Sequence, residues 1–397
     1  MSRILFVAGE ASGDAHASEV AKALKLQQPG ITLVGIGGQK MREAGVEIIF
    51  DASEIAVVGI VEVIKHYPAI KRAWNKAVDQ LKNHRPDLII LVDYPGFNLR
   101  LAKLAKQMGI KVLYYISPQI WAWHQSRITK IKQTVDHMAV IFPFEVAFYS
   151  KANIPVTYVG SPLAESVIPI GKDNAKRQII PSLLEGEGQG EGASPFPIIG
   201  LLPGSRKSEI SRLMPLLLES AKALKAIYPN AQFLLPIAST LSEADFQQFL
   251  PPPIAGEVDM RSLSGEGIRI IKNNSHAAIE ACDVIICSSG TVTLEAAILS
   301  TPMVLIYKTA KITYELGKRL IKIKYIGLCN ILADRPIVPE LIQDNANVKS
   351  IVAHTRKLLE DQVCREQTLK DLAWVREQLG QDRTGNKVAE LAVRLIK

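Results

Sequence analysis

Apolar residues recur through the first 160 positions as short runs separated by longer polar stretches of helical period. Residues 4–8 (ILFVA) form one such run before Gly9, and a helical pattern follows from about 13 to 26. Residues 31–36 form a second run. Leu88–Val92, between Asp87 and Asp93, is continuously apolar, as a strand covered on both faces must be. Residues 112–116 and 138–142 add two more, with polar helices between them. Strands alternating with helices of this length predict a doubly wound, parallel α/β sheet.

The pattern breaks over residues 164–196. Positions 185–194 read EGEGQGEGAS, four glycines and three glutamates with no large apolar side chain, which predicts a surface insertion or linker. A second strand–helix series then runs through 198–202, a helix to about 227, then 233–237, 269–271, 284–287, a helix from 292, and 303–307. A charged helical tail begins near 348, and no repeat of solenoid period occurs. The expected organisation is a Rossmann-like domain at 1–165, a linker at 166–196, a second Rossmann-like domain at 197–345, and a tail at 346–397 packing back across both.

Composition narrows the class. The 397 residues carry 47 Lys+Arg against 39 Asp+Glu, a formal charge of +8, which favours an anionic partner. Cys282, Cys287, Cys329 and Cys364 form no Cys-x-x-Cys pair and no zinc spacing, so they read as buried thiols of a reducing compartment. The opening apolar run is too short for a signal peptide, and no run approaches the roughly 18 residues that span a bilayer. A soluble, cytoplasmic protein is expected.

In open parallel sheets, ligands bind beyond the carboxyl ends of the strands. The first such loop, Gly9-Glu10-Ala11-Ser12-Gly13-Asp14, offers a tight turn, Ser12 as a helix cap, and more polar groups than a plain cap requires. Gly35-Ile36-Gly37-Gly38 has Lys40 where a dinucleotide fingerprint needs its third glycine, so no nicotinamide cofactor, and no other cofactor, is expected. In Asp93-Tyr94-Pro95-Gly96-Phe97-Asn98, the aspartate is either a general base aimed into a cleft or the cap of the next helix. Ser117-Pro118-Gln119-Ile120-Trp121-Ala122-Trp123-His124 serves either domain packing or sugar stacking. In the second half, Pro203-Gly204-Ser205-Arg206 and Ser288-Ser289-Gly290-Thr291, with Glu295 one turn on, are anion-cradling turns suited to a nucleotide diphosphate, though neither is a Walker loop.

Taken in order, these loops, with Pro143-Phe144-Glu145, SGTVTLE at 289–295 and Asn330-Ile331-Leu332, resemble the bacterial lipid-A-disaccharide synthases over nearly the whole chain. The resemblance implies a GT-B type fold of two Rossmann-like domains facing across a cleft. It also implies an inverting transfer from UDP-2,3-diacylglucosamine to 2,3-diacylglucosamine 1-phosphate, giving the β-1,6-linked disaccharide phosphate and UDP. By the same resemblance Asp93 is the base and Glu10 an essential carboxylate. Gly204, Ser205, Arg206, Ser289, Gly290, Thr291, Glu295, Asn330 and Gln343 fall on the donor side, and Ser12 and Asp14 on the acceptor side. The insertion at 185–194 and Ser288, where alanine is usual, depart from the family pattern. No Asp-x-Asp triplet exists, so no metal is expected, and Arg206 with the helix amino termini must stabilise the leaving UDP.

Acylated substrates call for contact with the inner-membrane surface. Residues 55–64 are nearly all apolar and lead into Lys65, Lys71, Arg72 and Lys76; Val58, Val61 and Ile64 are the expected lipid contacts, against the alternative of an ordinary core helix. The six cations between 308 and 324 are a second candidate for acceptor phosphate or membrane. Nucleic acid is not an expected partner, because exposed aromatics are not interleaved with the basic residues, and a homodimer is left open. The rival readings are a related UDP-sugar transferase or epimerase, and a non-catalytic nucleotide-sugar or lipid-binding protein.

Overall fold

A computed structural model describes residues 2–55, 66–123, 125–180, 196–238, 241–249, 262–263, 268–310, 314–315, 317–318, 323–380 and 383–397. Val58, Val61 and Ile64, the insertion at 185–194, His124, and Lys311, Arg319 and Lys322 of the second basic stretch lie outside the described residues.

Two seven-stranded sheets share one plan. The first contains β1 (Arg3–Ala8), β2 (Thr32–Gly37), β3 (Glu47–Asp51), β4 (Leu88–Val92), β5 (Lys111–Tyr115), β6 (His137–Val140) and β7 (Val156–Tyr158), ordered β3-β2-β1-β4-β5-β6-β7. The second contains β8 (Ile198–Leu202), β9 (Gln232–Pro236), β10 (Ser262–Leu263), β11 (Ile268–Ile271), β12 (Val284–Ser288), β13 (Met303–Tyr307) and β14 (Glu340–Ile342), ordered β10-β11-β9-β8-β12-β13-β14. Every pairing is parallel except the short edge strand β10 on β11. Strand order reverses between β1 and β4, and again between β8 and β12. Those two switch points are where a ligand of each sheet belongs.

The continuous apolar runs follow from burial on both faces. Leu5, Val7, Ile89 and Leu91 join one core with the helices Tyr67–Asp79 and Pro95–Gln107. Their neighbours Ile4, Phe6, Ala8, Leu88, Ile90 and Val92 join the opposite core with the helices Ala11–Gln27 and Thr384–Ile396. Alternate residues of a strand point to opposite faces, so every position must be apolar.

The chain divides into two units, residues 1–165 with 379–397, and residues 166–378. The expected linker bounds differ from this division. Residues 166–180 are not linker but part of the second unit: the helix Lys172–Ile179 packs on Ser275–Ala281, and the buried Glu280 carboxylate accepts the N–H groups of Ile170 (3.0 Å) and Gly171 (2.8 Å). The tail divides between the two units. Helices Val348–Glu360 and Gln362–Gln378 belong to the second unit, while Thr384–Ile396 returns to the first and packs along Ala11–Gln27. There the Thr384 N–H donates to Glu165 at 2.5 Å.

Candidate active site

At the first switch point, β1 runs into Glu10 and β4 into Asp93. Asp93 and Tyr94 both adopt left-handed backbone, with φ of 46° and 48°, and Pro95 then sets the first turn of Pro95–Gln107. Two consecutive residues in that region are strained, and the surroundings hold them. The Asp93 carbonyl accepts hydrogen bonds from Tyr114 Oη (2.7 Å) and Asn98 Nδ2 (2.7 Å), and its N–H donates to Tyr115 O (3.0 Å). The Tyr94 ring lies over Gly9, where a Cβ would stand 2.8 Å from Cε1, and its hydroxyl donates to the Ile55 carbonyl. Gly9 thus lets the two strand-exit loops close together.

The helix-cap reading of Asp93 fails, because Tyr94 occupies the cap and no side chain bonds the helix end. Instead, partial burial and then the nearby Glu10 carboxylate push the Asp93 pKa up to about 6, only partly offset by the Tyr94 N–H. A carboxylate poised there is charged at neutral pH and basic enough to take a proton from a hydroxyl.

Neighbouring candidates divide. Ser12 is exposed inside the helix whose cap residue is Glu10, so it does not cap. Asp14, expected on the acceptor side, is buried and committed to the next loop: its carboxylate accepts the N–H groups of Gly38 (2.6 Å), Lys40 (3.0 Å) and Met41 (3.2 Å). Of the two tryptophans, Trp123 is exposed, whereas Trp121 is buried within the first unit. It packs edge-on to Phe144 and donates from Nε1 to Glu145 (3.1 Å). Burial raises the Glu145 pKa to about 7, against the hydrogen bonds it accepts from Phe142 N–H, Ser117 and Trp121.

The second switch point has a different chemistry. Gly204 has φ of +116°, a conformation that favours glycine. It turns the chain so that Glu209, in the first turn of Lys207–Ile227, accepts the N–H groups of Ser205 (3.0 Å) and Arg206 (3.3 Å) and the Arg206 guanidinium (3.0 Å). A carboxylate of the chain therefore holds the donors that an anionic ligand would use. On the other strand exit, Gly290 faces open space, Ser289 Oγ donates to Ile326 O (2.8 Å), and Thr291 precedes Val292–Ile298 without a side-chain bond to the helix end. Glu295 stands 3.6 Å from His276, whose pKa it raises through a hydrogen bond opposed by burial.

Asn330 and Gln343 are engaged by the chain itself. The fully buried Asn330 amide donates to Val338 O (2.9 Å) and Glu340 (2.8 Å) and accepts from the N–H groups of Ile337 and Val338. Gln343, at φ +52°, clamps Thr309 by both its backbone groups. They position the loops on which they lie. Sequence reading missed Glu340, which gathers Asn330 and the N–H groups of Ile326 and Gly327, and Tyr114 beneath Asp93. Nothing local marks either residue.

The chain matches the family model described as "Lipid-A-disaccharide synthetase" over residues 4–394. It is 45% identical over 395 residues to the lipid-A-disaccharide synthase of Geobacter metallireducens, covering 99% of this chain and 97% of that one. It is 44% identical to that of Nitrosococcus oceani, at 99% and 96% coverage. Among solved structures, the UDP-GlcNAc 2-epimerase of Neisseria meningitidis bound to UDP-GlcNAc superposes with a TM-score of 0.63 at 12% identity, covering 99% of this chain and all of that one. The glycotransferase of kitacinnamycin gives 0.58 at 14%, covering 99% and 98%. Those two likenesses show the GT-B type fold alone; the full-length match at 44–45% identity separates synthase from epimerase, and the chain belongs to the lipid-A-disaccharide synthase family.

Proposed function

We propose that the chain makes the lipid A disaccharide by a metal-independent, inverting displacement in which Asp93 is the general base. Asp93 removes the proton of the 6-hydroxyl of 2,3-diacylglucosamine 1-phosphate. The freed oxygen attacks the anomeric carbon of UDP-2,3-diacylglucosamine from the face opposite the UDP, the C1–O bond breaks, and UDP departs. Burial, and then the Glu10 charge, keep Asp93 basic. Arg206 exchanges Glu209 for the diphosphate and meets the charge that grows on it, helped by the N–H groups at the starts of Lys207–Ile227 and of the helix after Thr291. The observation that carries the reading is the raised pKa of an uncapped carboxylate at a strained switch-point turn.

Among the described residues no helix is long and apolar enough to cross a membrane, yet both substrates are acylated. Extracting such chains into water costs about 0.8 kcal/mol per CH₂. The protein therefore meets its substrates at the inner-membrane surface, on its cytoplasmic face, with the run at 55–64 and its following cations as the contact. Disaccharide and UDP should form from synthetic diacylated donor and acceptor, and EDTA should leave the rate unchanged. An isomerised UDP-sugar, UDP binding without turnover, or a chelator-sensitive rate restored by Mg²⁺ would each refute part of this scheme.

A further inference from the structure

Helices Pro95–Gln107 and Ile128–Thr134 of the first unit flank a cavity of about 630 Å³. Its wall carries five cations, Arg100, Lys103, Lys106, Arg127 and Lys130, and no carboxylate. The spacing explains the clustering: 96, 100, 103 and 107 lie on one face of the first helix, and 127, 130 and 134 on the facing side of the second. Only Lys106 has an acidic partner, Asp136; among the described residues Arg100, Lys103, Arg127 and Lys130 form no ion pair. Four uncompensated charges around a concavity repel one another, an arrangement that costs stability unless an anion fills it.

The cavity adjoins the reacting centre. It opens at Pro95 and Gly96, immediately after Asp93 and Tyr94. The charge of Arg127 is felt at the Tyr114 phenol, whose hydroxyl holds the Asp93 carbonyl.

We infer that this groove is the subsite for the anomeric phosphate of the acceptor sugar. The inference rests on the acceptor reading above. A phosphate monoester carries about two charges and three acceptor oxygens, which suits several Lys and Arg donors at once. Anchored there, the phosphate fixes one end of the hexose while the opposite end, with its 6-hydroxyl, extends toward Asp93. Free phosphate and the phosphates of membrane lipids share this chemistry, and the test separates them.

Lys103→Glu/Lys130→Glu reverses two exposed charges. Loss of charge-assisted contacts should raise the acceptor KM roughly ten- to hundredfold, with donor KM and UDP affinity unchanged. An acceptor lacking its 1-phosphate should suffer the same penalty on the wild-type enzyme and no further penalty on the variant. Glucosamine 1-phosphate, titrated directly without any turnover, should bind the wild type in competition with inorganic phosphate and bind the variant far more weakly. This arm remains decisive if no disaccharide is ever formed, so failure of the synthase reading and failure of the groove are distinguishable. Unchanged binding of glucosamine 1-phosphate to the variant would overturn the assignment. So would a variant that keeps its acceptor KM in detergent micelles but releases vesicles of anionic phospholipid, since the groove would then serve membrane headgroups. Arg100→Gln/Lys103→Gln repeats the comparison without charge reversal should the first variant misfold.

Discussion

The two switch points lie between matching central strands and carry opposite chemistry. In the first unit the exits of β1 and β4 present two carboxylates, Glu10 and Asp93, close enough for one to raise the pKa of the other. In the second, the exits of β8 and β12 present hydroxyls, backbone N–H groups and Arg206, with Glu209 supplying the one carboxylate that satisfies them. The scaffold decides where a ligand lies, and a handful of loop residues decide its charge. One site gathers carboxylates and the other gathers N–H donors and a guanidinium, which is the contrast the proposed base and diphosphate roles draw on.

The largest effect should come from removing the base. Asp93→Asn should lower kcat by about 10²–10⁴ while calorimetry finds UDP affinity intact. The same variant should be more stable at neutral pH. A raised folded pKa means that the native state holds the proton more tightly than the unfolded chain. The stability this group contributes is therefore present below about pH 4 and lost as the pH rises through about 6. Asparagine, which also tolerates the left-handed backbone, should recover about 1–3 kcal/mol at pH 7.5 in denaturant melts, and the gain should vanish near pH 4.

Asn330→Ala asks whether a donor-side residue acts as ligand or as scaffold. Stripping four buried hydrogen bonds should cost about 2–4 kcal/mol of stability, visible as a lower melting temperature before any change in nucleotide affinity. Direct loss of UDP binding with normal stability would make it a ligand after all. Arg206→Ala should weaken UDP binding roughly ten- to hundredfold and slow turnover with it. Glu10→Gln removes the like charge beside Asp93, so the acidic limb of the rate profile, expected near pH 6, should move downward by less than about one pH unit. Smallest of all, Glu209→Gln keeps the helix cap but frees Arg206, and UDP should bind up to about fivefold more tightly.

Long central strands were legible because burial on both faces forces unbroken apolar runs. Leu88–Val92 and Ile198–Leu202 match the expected boundaries residue for residue. The edge strands β3, β7 and β14 escaped notice, since one covered face leaves a mixed pattern such as Glu47–Asp51. At the sites, the loops were readable from Gly, Pro and polar residues at strand exits, but the partners were not. Asp14 bonds backbone 24 to 27 residues away, and Asp93 owes its raised pKa first to burial by the fold and then to Glu10, on a different strand-exit loop. Such distances in sequence leave no local signature. Asn330 was placed on the donor side by the family resemblance alone, and only the fold shows that its amide is bonded to Val338 and Glu340.

The return of the last helix to the first unit sets an order of events during synthesis. Val388, Ala389, Leu391 and Ala392 join Ala11–Gln27 in the core on one sheet face and reach β4 and β5. A ribosome releases that face early and the strip that seals it last. The second unit, complete by residue 378, has all its parts sooner, although its first residue is made later. At about 5–20 residues per second, the amino-terminal sheet waits on the order of ten seconds or more with that side covered only in part, by Ala11–Gln27. Of the two units, the one that carries Asp93 therefore receives its closing helix after the other has all its residues.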